Sequence, residues 1–425
     1  MRIIHYKELN KDFFKYKEIE DIDIVNEIVK EVKEHGDEAI IKYEKKLDGI
    51  QLNELRVSED EIKLSRKKID RRFRIAINIA VKNIRHFAKI QLKQFRSFKV
   101  KILRGVNVEQ RVIPIERVGI YVPAGRYPLV SSLIMCAAPA KTAGVREIIV
   151  CSPPTNLCSI HPAILYTADK LKIKEIYKIG GAQAIAAMAY GTESIKKVDK
   201  IVGPGNKYVT FAKKIIYGSA GIDFIAGPTE IMIIADRDAN AEYLAADLLA
   251  QAEHDEEATA ILVTDSIELA YKVNSEINKQ LPLLPTRLIA EKSFNKNGLI
   301  IIVNSLNEAI EIANRKAPEH LELHLHNSHR YVGKFKNYGS LFIGEYSVEA
   351  LGDYTSGLNH TLPTNMAARY TSGLSVKDFI KLNTVLKVTK KGFLSLAEAT
   401  AELAYRENLA CHANSILIRK NKINS

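Results

Sequence analysis

A chain of 425 residues is too long for one hydrophobic core, and length alone suggests roughly two or three domains. Its 46% hydrophobic and 26% charged residues are the balance of a soluble globular protein, and no apolar run approaches the roughly 18 residues of a membrane span, so no membrane partner and a cytoplasmic location are expected. Cys136, Cys151, Cys158 and Cys411 show no CxxC or zinc-ribbon spacing, so neither a disulfide framework nor a cysteine metal site is indicated, and most of them are expected as small buried hydrophobes.

The net charge of +12 raises nucleic acid as a partner, but the charge is local. Residues 61–100 hold thirteen Lys or Arg against two acids, a surplus of eleven that accounts for nearly the whole imbalance. The same segment carries Ile69, Phe73, Ile77, Val81, Ile84 and Ala88 at helical spacing, and Ser58 to Glu61 forms a capping-box start. The solvated face of one long amphipathic helix explains the charge, so no nucleic-acid partner is expected.

In chain order, residues 1–57 read as short helices, with 21–47 strongly helical and interrupted at Gly36. After the basic helix, 100–115 alternates apolar and polar residues as a hairpin does. From Val118 the texture changes to Ile- and Val-rich runs alternating with Ala-rich segments. The runs 147–151, 175–179, 200–202, 230–235, 260–264 and 298–303 predict strands, and 131–143, 182–190, 207–218, 239–254 and 305–314 predict helices. Such alternation with doubly apolar strands indicates parallel sheets covered by helices on both faces.

Glycine turns punctuate the strand ends, where open α/β sheets bind ligands: Tyr121-Val-Pro-Ala-Gly125, Gly180-Gly-Ala-Gln-Ala184, Gly203-Pro-Gly-Asn206 and Ala226-Gly-Pro-Thr-Glu230. None is a G-x-G-x-x-G fingerprint.

The chemistry-bearing residues come later. Gln251 and His254, three residues apart on one helical face, could both reach one ion, although a His at a helix end also serves as a dipole-favoured cap. Ala317-Pro-Glu-His-Leu321 could present an acid/base pair to a cleft, or simply begin a strand. His324, His326 and Glu322 alternate with Leu and read as the wet face of an edge strand, a metal pair being the alternative. Residues 344–364 hold Glu349, Asp353 and His360 among glycines and turn formers, with no regular period, and read as a loop. The final segment begins as a helix striped by Leu396, Ala399, Leu403 and Leu409 and carries Glu407 and His412. Its stripe must dock on this chain or on a partner.

Together, Gln251-x-x-His254, Glu319-His320, residues 344–364 and the segment from Glu407 to His412 resemble histidinol dehydrogenases, over most of the chain from Val118 to about Asn414. The resemblance implies oxidation of L-histidinol through the aldehyde to L-histidine, with two NAD reduced, as the last step of histidine biosynthesis. It implies two Rossmann-like parallel-sheet α/β domains, a helical N-terminal part and a C-terminal tail exchanged within a homodimer. The divisions expected are a helical segment 1–20, a metal- and substrate-binding domain of 21–118 with 230–373, an NAD-contacting domain 119–229 and the tail 374–425.

Carried onto matching positions, the zinc ligands are Gln251, His254, Asp353 and His412 of the partner subunit; imidazoles with a carboxylate suit zinc better than magnesium. His320 is the base, and Glu319 activates water. Thr229, Glu349, His360 and Glu407 contact substrate, as do His320 and the metal ligands, while Tyr121, Gln183 and Asn206 touch NAD. Thr229 stands where many members carry Ser; the hydroxyl is kept and a methyl added. A zinc hydrolase with Glu319 as its base is the rival enzyme, but the ligands are dispersed rather than clustered as in H-E-x-x-H. The non-enzymatic rival is a nucleic-acid-binding protein built on 61–100.

Overall fold

The computed structural model describes residues 1–18, 21–125 and 127–425; Ile19 and Glu20, at the end of the expected N-terminal segment, lie outside the described residues. Two parallel sheets dominate. One has five strands in the order Glu175–Lys178, Glu147–Ser152, Arg117–Tyr121, Lys200–Val202, Gly221–Ile222. The other has six, ordered Arg2–His5, Leu299–Ile302, Thr259–Thr264, Glu230–Ala235, His320–His324, Ser340–Ile343.

Apart from Arg2–His5, added at the outer edge of the six-stranded sheet, both sheets follow one path. A first strand is joined by two that step outward on one side, and the chain then returns to add two on the other side. The order therefore reverses between Arg117–Tyr121 and Lys200–Val202, and again between Glu230–Ala235 and His320–His324, which are the switch points where such sheets open a crevice at their carboxyl edge.

The predicted α/β alternation holds, with two strands, 200–202 and 230–235, matched to the residue. Helices cover both faces. Val130–Ala143, Pro162–Lys170 and Arg71–Leu92 build one core against the five-stranded sheet; Asp23–Tyr43, Gly181–Tyr190 and Lys207–Ile216 build the other. The grouping of 21–118 with the six-stranded sheet is thus corrected. The stripes Val25, Ile28, Val29, Val32 and Ile77, Val81, Ile84, Ala88 are buried in the two cores of the five-stranded sheet, because that is where complementary apolar faces lie.

Other expectations need revision. The N-terminal segment is not wholly helical: Arg2–His5 is an edge strand paired with Leu299–Ile302, a partner almost 300 residues away that no local pattern reveals. The long basic helix is two helices, Glu59–Ser65 with the expected capping box and Arg71–Leu92 with Asp70 as its cap. Phe73 is exposed, together with Ile75, Ile79, Phe87 and Ile90, so the outward side of this helix is apolar as well as basic. Of the cysteines, Cys136 and Cys151 are buried as expected, while Cys158 and Cys411 are exposed.

The hairpin forms from Phe98–Leu103 and Val106–Pro114 and gains a third antiparallel strand, Ile380–Val388. Opposed positions put Phe98, Val100, Leu382, Leu386 and Val388 on one face, all exposed. Beyond it, Lys390–Arg406 and Ala410–Asn424 pair as a helical hairpin through Ala401, Ala404 and Ala413. The helix face that packs within the chain is this alanine stripe; Leu396, Leu403 and Leu409 remain exposed. Among the described residues no helix is long and apolar enough to cross a membrane.

Candidate active site

In a parallel β-α unit the helix runs back antiparallel to its strand, so the C-terminal end of Ala241–Ala252 returns to the amino edge of the six-stranded sheet. Gln251 and His254 arrive there beside Thr229, at the entry to Glu230–Ala235, and beside Glu319 and His320, at the entry to His320–His324. Residues 344–364 are not all loop. Glu349–Tyr354 is a short helix, which places Glu349 and Asp353 four residues apart on one side. His320–His324 is likewise no wet edge. It lies between two strands with Glu322 and His324 buried, while His326 lies beyond it, exposed.

The contacts converge on His320. Its Nδ1 lies 3.3 Å from the Glu230 carbonyl and 3.3 Å from Glu349 Oε1, and Nε2 lies 3.9 Å from Asp353 Oδ1. A carbonyl only accepts, so Nδ1 carries the proton and Nε2, buried without a hydrogen-bond partner, holds the free lone pair. Burial lowers this imidazole to about 4, Asp353 opposing the shift, so it is neutral at physiological pH.

Glu319 Oε2 accepts from the Thr229 hydroxyl at 2.6 Å and the Glu230 N–H at 2.9 Å, while burial pushes its carboxyl well up. Gln251 is fully buried; turned so that its nitrogen meets acceptors, its amide donates to Glu349 at 2.6 and 3.1 Å and its oxygen accepts from the Glu230 N–H at 3.2 Å, the one Thr229 proton going to Glu319. Burial and Asp353 push Glu349 well up.

His254, Glu349 and Asp353 bring one ligand atom each within 4.8 Å of one another, with His254 Nε2 4.0 Å from Asp353. Two carboxylates and an imidazole at that spacing suit a divalent cation. His360 Nδ1 lies 2.9 Å from the Asp353 carbonyl and Nε2 3.4 Å from Ser132 Oγ, on a helix of the other sheet. Ser132 was not legible in the sequence, lying in an Ala-rich helix with no motif of its own.

The expected NAD positions gather elsewhere, at the carboxyl edge of the five-stranded sheet. Tyr121 ends the first strand, its hydroxyl accepting from the Gly181 N–H at 3.1 Å; Asn206 is exposed and caps Lys207–Ile216. Gly203 sits at φ +118, where a Cβ would fall 2.2 Å from the Tyr121 carbonyl, so glycine lets the two strand ends meet at the switch point. Gln183 is buried and donates to Glu44 at 2.9 Å, and Glu44 also accepts from the Gly180 N–H at 2.8 Å.

Glu44 is fully buried and raised from 4.5 to about 7, chiefly by burial. Folding raises this carboxyl, so its contribution to stability is fully present below pH 4.5 and is lost as pH rises through about 7. Glu44→Gln keeps the acceptor without the charge and is expected to stabilise the fold above pH 7 by up to about 3 kcal/mol, with little effect at pH 4.5. Thermal unfolding at both values checks this; a lower melting temperature at pH 8 would contradict it.

Glu407 and His412 stand apart on the exposed helical hairpin, and the structure does not bring them to the other site residues within one chain.

Fold and site define a two-sheet α/β enzyme with a neutral buried imidazole among carboxylates able to hold a cation. The family model described as histidinol dehydrogenase matches residues 14–420. A histidinol dehydrogenase of Bacillus cereus is 49% identical over 93% of this chain and 91% of its own, and one of Streptococcus mutans is 46% identical over 94% and 92%. The crystal structure of histidinol dehydrogenase from Elizabethkingia anophelis superimposes with a TM-score of 0.92 at 41% identity, covering 98% of this chain and 96% of that one. The chain belongs to the histidinol dehydrogenase family and is an oxidoreductase.

Proposed function

We propose that this protein is a zinc-dependent L-histidinol dehydrogenase of the cytoplasm, oxidising L-histidinol through L-histidinal to L-histidine with reduction of two NAD, the last step of histidine biosynthesis. The observation that carries the chemistry is the buried, neutral His320 with its unpartnered Nε2 beside the converging His254, Glu349 and Asp353.

Removing hydride from an alcohol requires that the hydroxyl proton leave, and His320 Nε2 takes it. The Glu230 carbonyl holds the Nδ1 proton and so keeps Nε2 basic. Tyr121, Gln183 and Asn206 would hold NAD at the carboxyl edge of the five-stranded sheet, and when bound it would supply the acceptor for the substrate's hydride. The second oxidation starts from the hydrated aldehyde, and Glu319, held by Thr229 and the Glu230 N–H, takes the proton of the attacking water. Glu349 and His360 line the substrate position, and their hydrogen bonds to Gln251 and Ser132 limit their freedom.

The donor set fits zinc. His254, Asp353 and His412 of the partner subunit would hold it, with Gln251 once its amide turns its oxygen to the ion; when bound, zinc would supply a Lewis-acidic anchor for substrate nitrogens that orients the reacting carbon. Zinc is then needed for turnover but not for the redox step itself, so chelation should abolish activity and zinc restore it. Full activity in rigorously metal-free protein would sink the assignment.

A homodimer with shared sites completes the reading. Supporting it are the exposed stripe of Leu396, Leu403 and Leu409, the exposed sheet face of Phe98, Val100, Leu382 and Leu386, and the position of Glu407 and His412 outside their own chain's site. Apolar faces of this extent call for a covering surface.

A further inference from the structure

The strand His320–His324 turns His320, Glu322 and His324 to one face, and only the first serves the acid–base centre. Glu322 is fully buried and His324 nearly so. Both Glu322 oxygens are engaged: Oε1 accepts the Glu349 backbone N–H at 2.7 Å, and Oε2 lies 3.3 Å from His324 Nε2. That N–H is one of the orphan donors opening the helix Glu349–Tyr354, whose N-cap residue Val348 has no side chain to satisfy it. A carboxylate there also meets the positive end of the helix. Asp247 lies beside the pair, and the three groups bring ligand atoms within 4.8 Å of one another. Because Glu322 already spends its oxygens on the helix and on His324, the cluster acts as a clamp and not as an open ligand shell.

We infer that Glu322, oriented by His324, is a positioning residue that fixes the first turn of Glu349–Tyr354 and thereby sets where Glu349 and Asp353 stand in the site. The inference rests on the proposed function for its kinetic consequence alone. Displacing a substrate-contacting group by about 1 Å can cost about 100-fold in rate.

Glu322→Gln keeps a carbonyl oxygen for the Glu349 N–H, whereas Glu322→Leu removes it. Steady-state kinetics on the full-length protein should show the Gln variant near wild type and the Leu variant down about 100-fold in kcat/KM. Hydrogen exchange of residues 345–355, measured without substrate, should be faster in the Leu variant, unchanged in the Gln variant, and unaltered elsewhere in both. Should the Leu variant not fold, His324→Leu replaces it, with faster exchange in the same segment expected. Unchanged exchange on losing the acceptor or its orienting partner, or equal losses in the Gln and Leu variants, would overturn the inference. A wild-type protein inert toward histidinol would defeat the functional reading, and the exchange measurement would still decide the clamp.

Discussion

Replacing His320 by Gln is expected to slow both histidinol oxidation and histidinal reduction by about 100- to 10,000-fold, the range typical of a lost general acid/base. The imidazole is neutral and its Nε2 is free. Glu319→Gln should behave differently. Glu319 acts on water in the second oxidation, so its loss should cripple histidinol turnover to histidine while leaving histidinal reduction, which needs no water attack, comparatively intact. Assaying both variants with both substrates separates the roles. The same profile from the two variants would show that the division of labour is wrong.

The second large effect concerns the tail. Neither a His320→Ala nor a His412→Ala homodimer has a complete site if each site joins one chain's body to the other's tail. In a mixed dimer, one site would combine the intact His320 of one chain with the intact His412 of the other, and the second site would lack both. Isolated, differently tagged heterodimers should therefore recover up to about half the wild-type activity, by additivity of independent sites. The alanine-stitched hairpin with His412 exposed is what motivates the design. Heterodimers with no recovered activity would refute the exchange.

The sheets were legible where strands are unbroken Ile and Val runs, as in Lys200–Val202 and Glu230–Ala235. Arg117–Tyr121 escaped, although it is the central strand of its sheet. It opens on an Arg that pairs with Glu147 and Glu175, at the starts of the next two strands on one side, and it is interrupted by Gly119, where a Cβ would fall 2.5 Å from Met188 Sδ. The alternation at His320–His324 was visible, but the same pattern arises whether the polar face meets water or a buried polar site, so periodicity could not place it.

For the site, spacing indicated Gln251 with His254 and resemblance indicated the rest. Neither showed that Thr229, Gln251, Glu319, His320, Glu349, Asp353 and His360 meet at the amino edge of one sheet, since that follows from the strand order. Glu44 and Ser132 sit in helices without any local motif, and only packing brings them to Gln183 and His360.

The most direct test of the central claim is the number of reduced nicotinamides formed per histidinol consumed, read by absorbance with limiting histidinol and excess NAD on zinc-loaded protein. The proposed function predicts two, with histidine as the product. One, with histidinal released, would contradict the second oxidation assigned to Glu319, and none would contradict the dehydrogenase assignment itself.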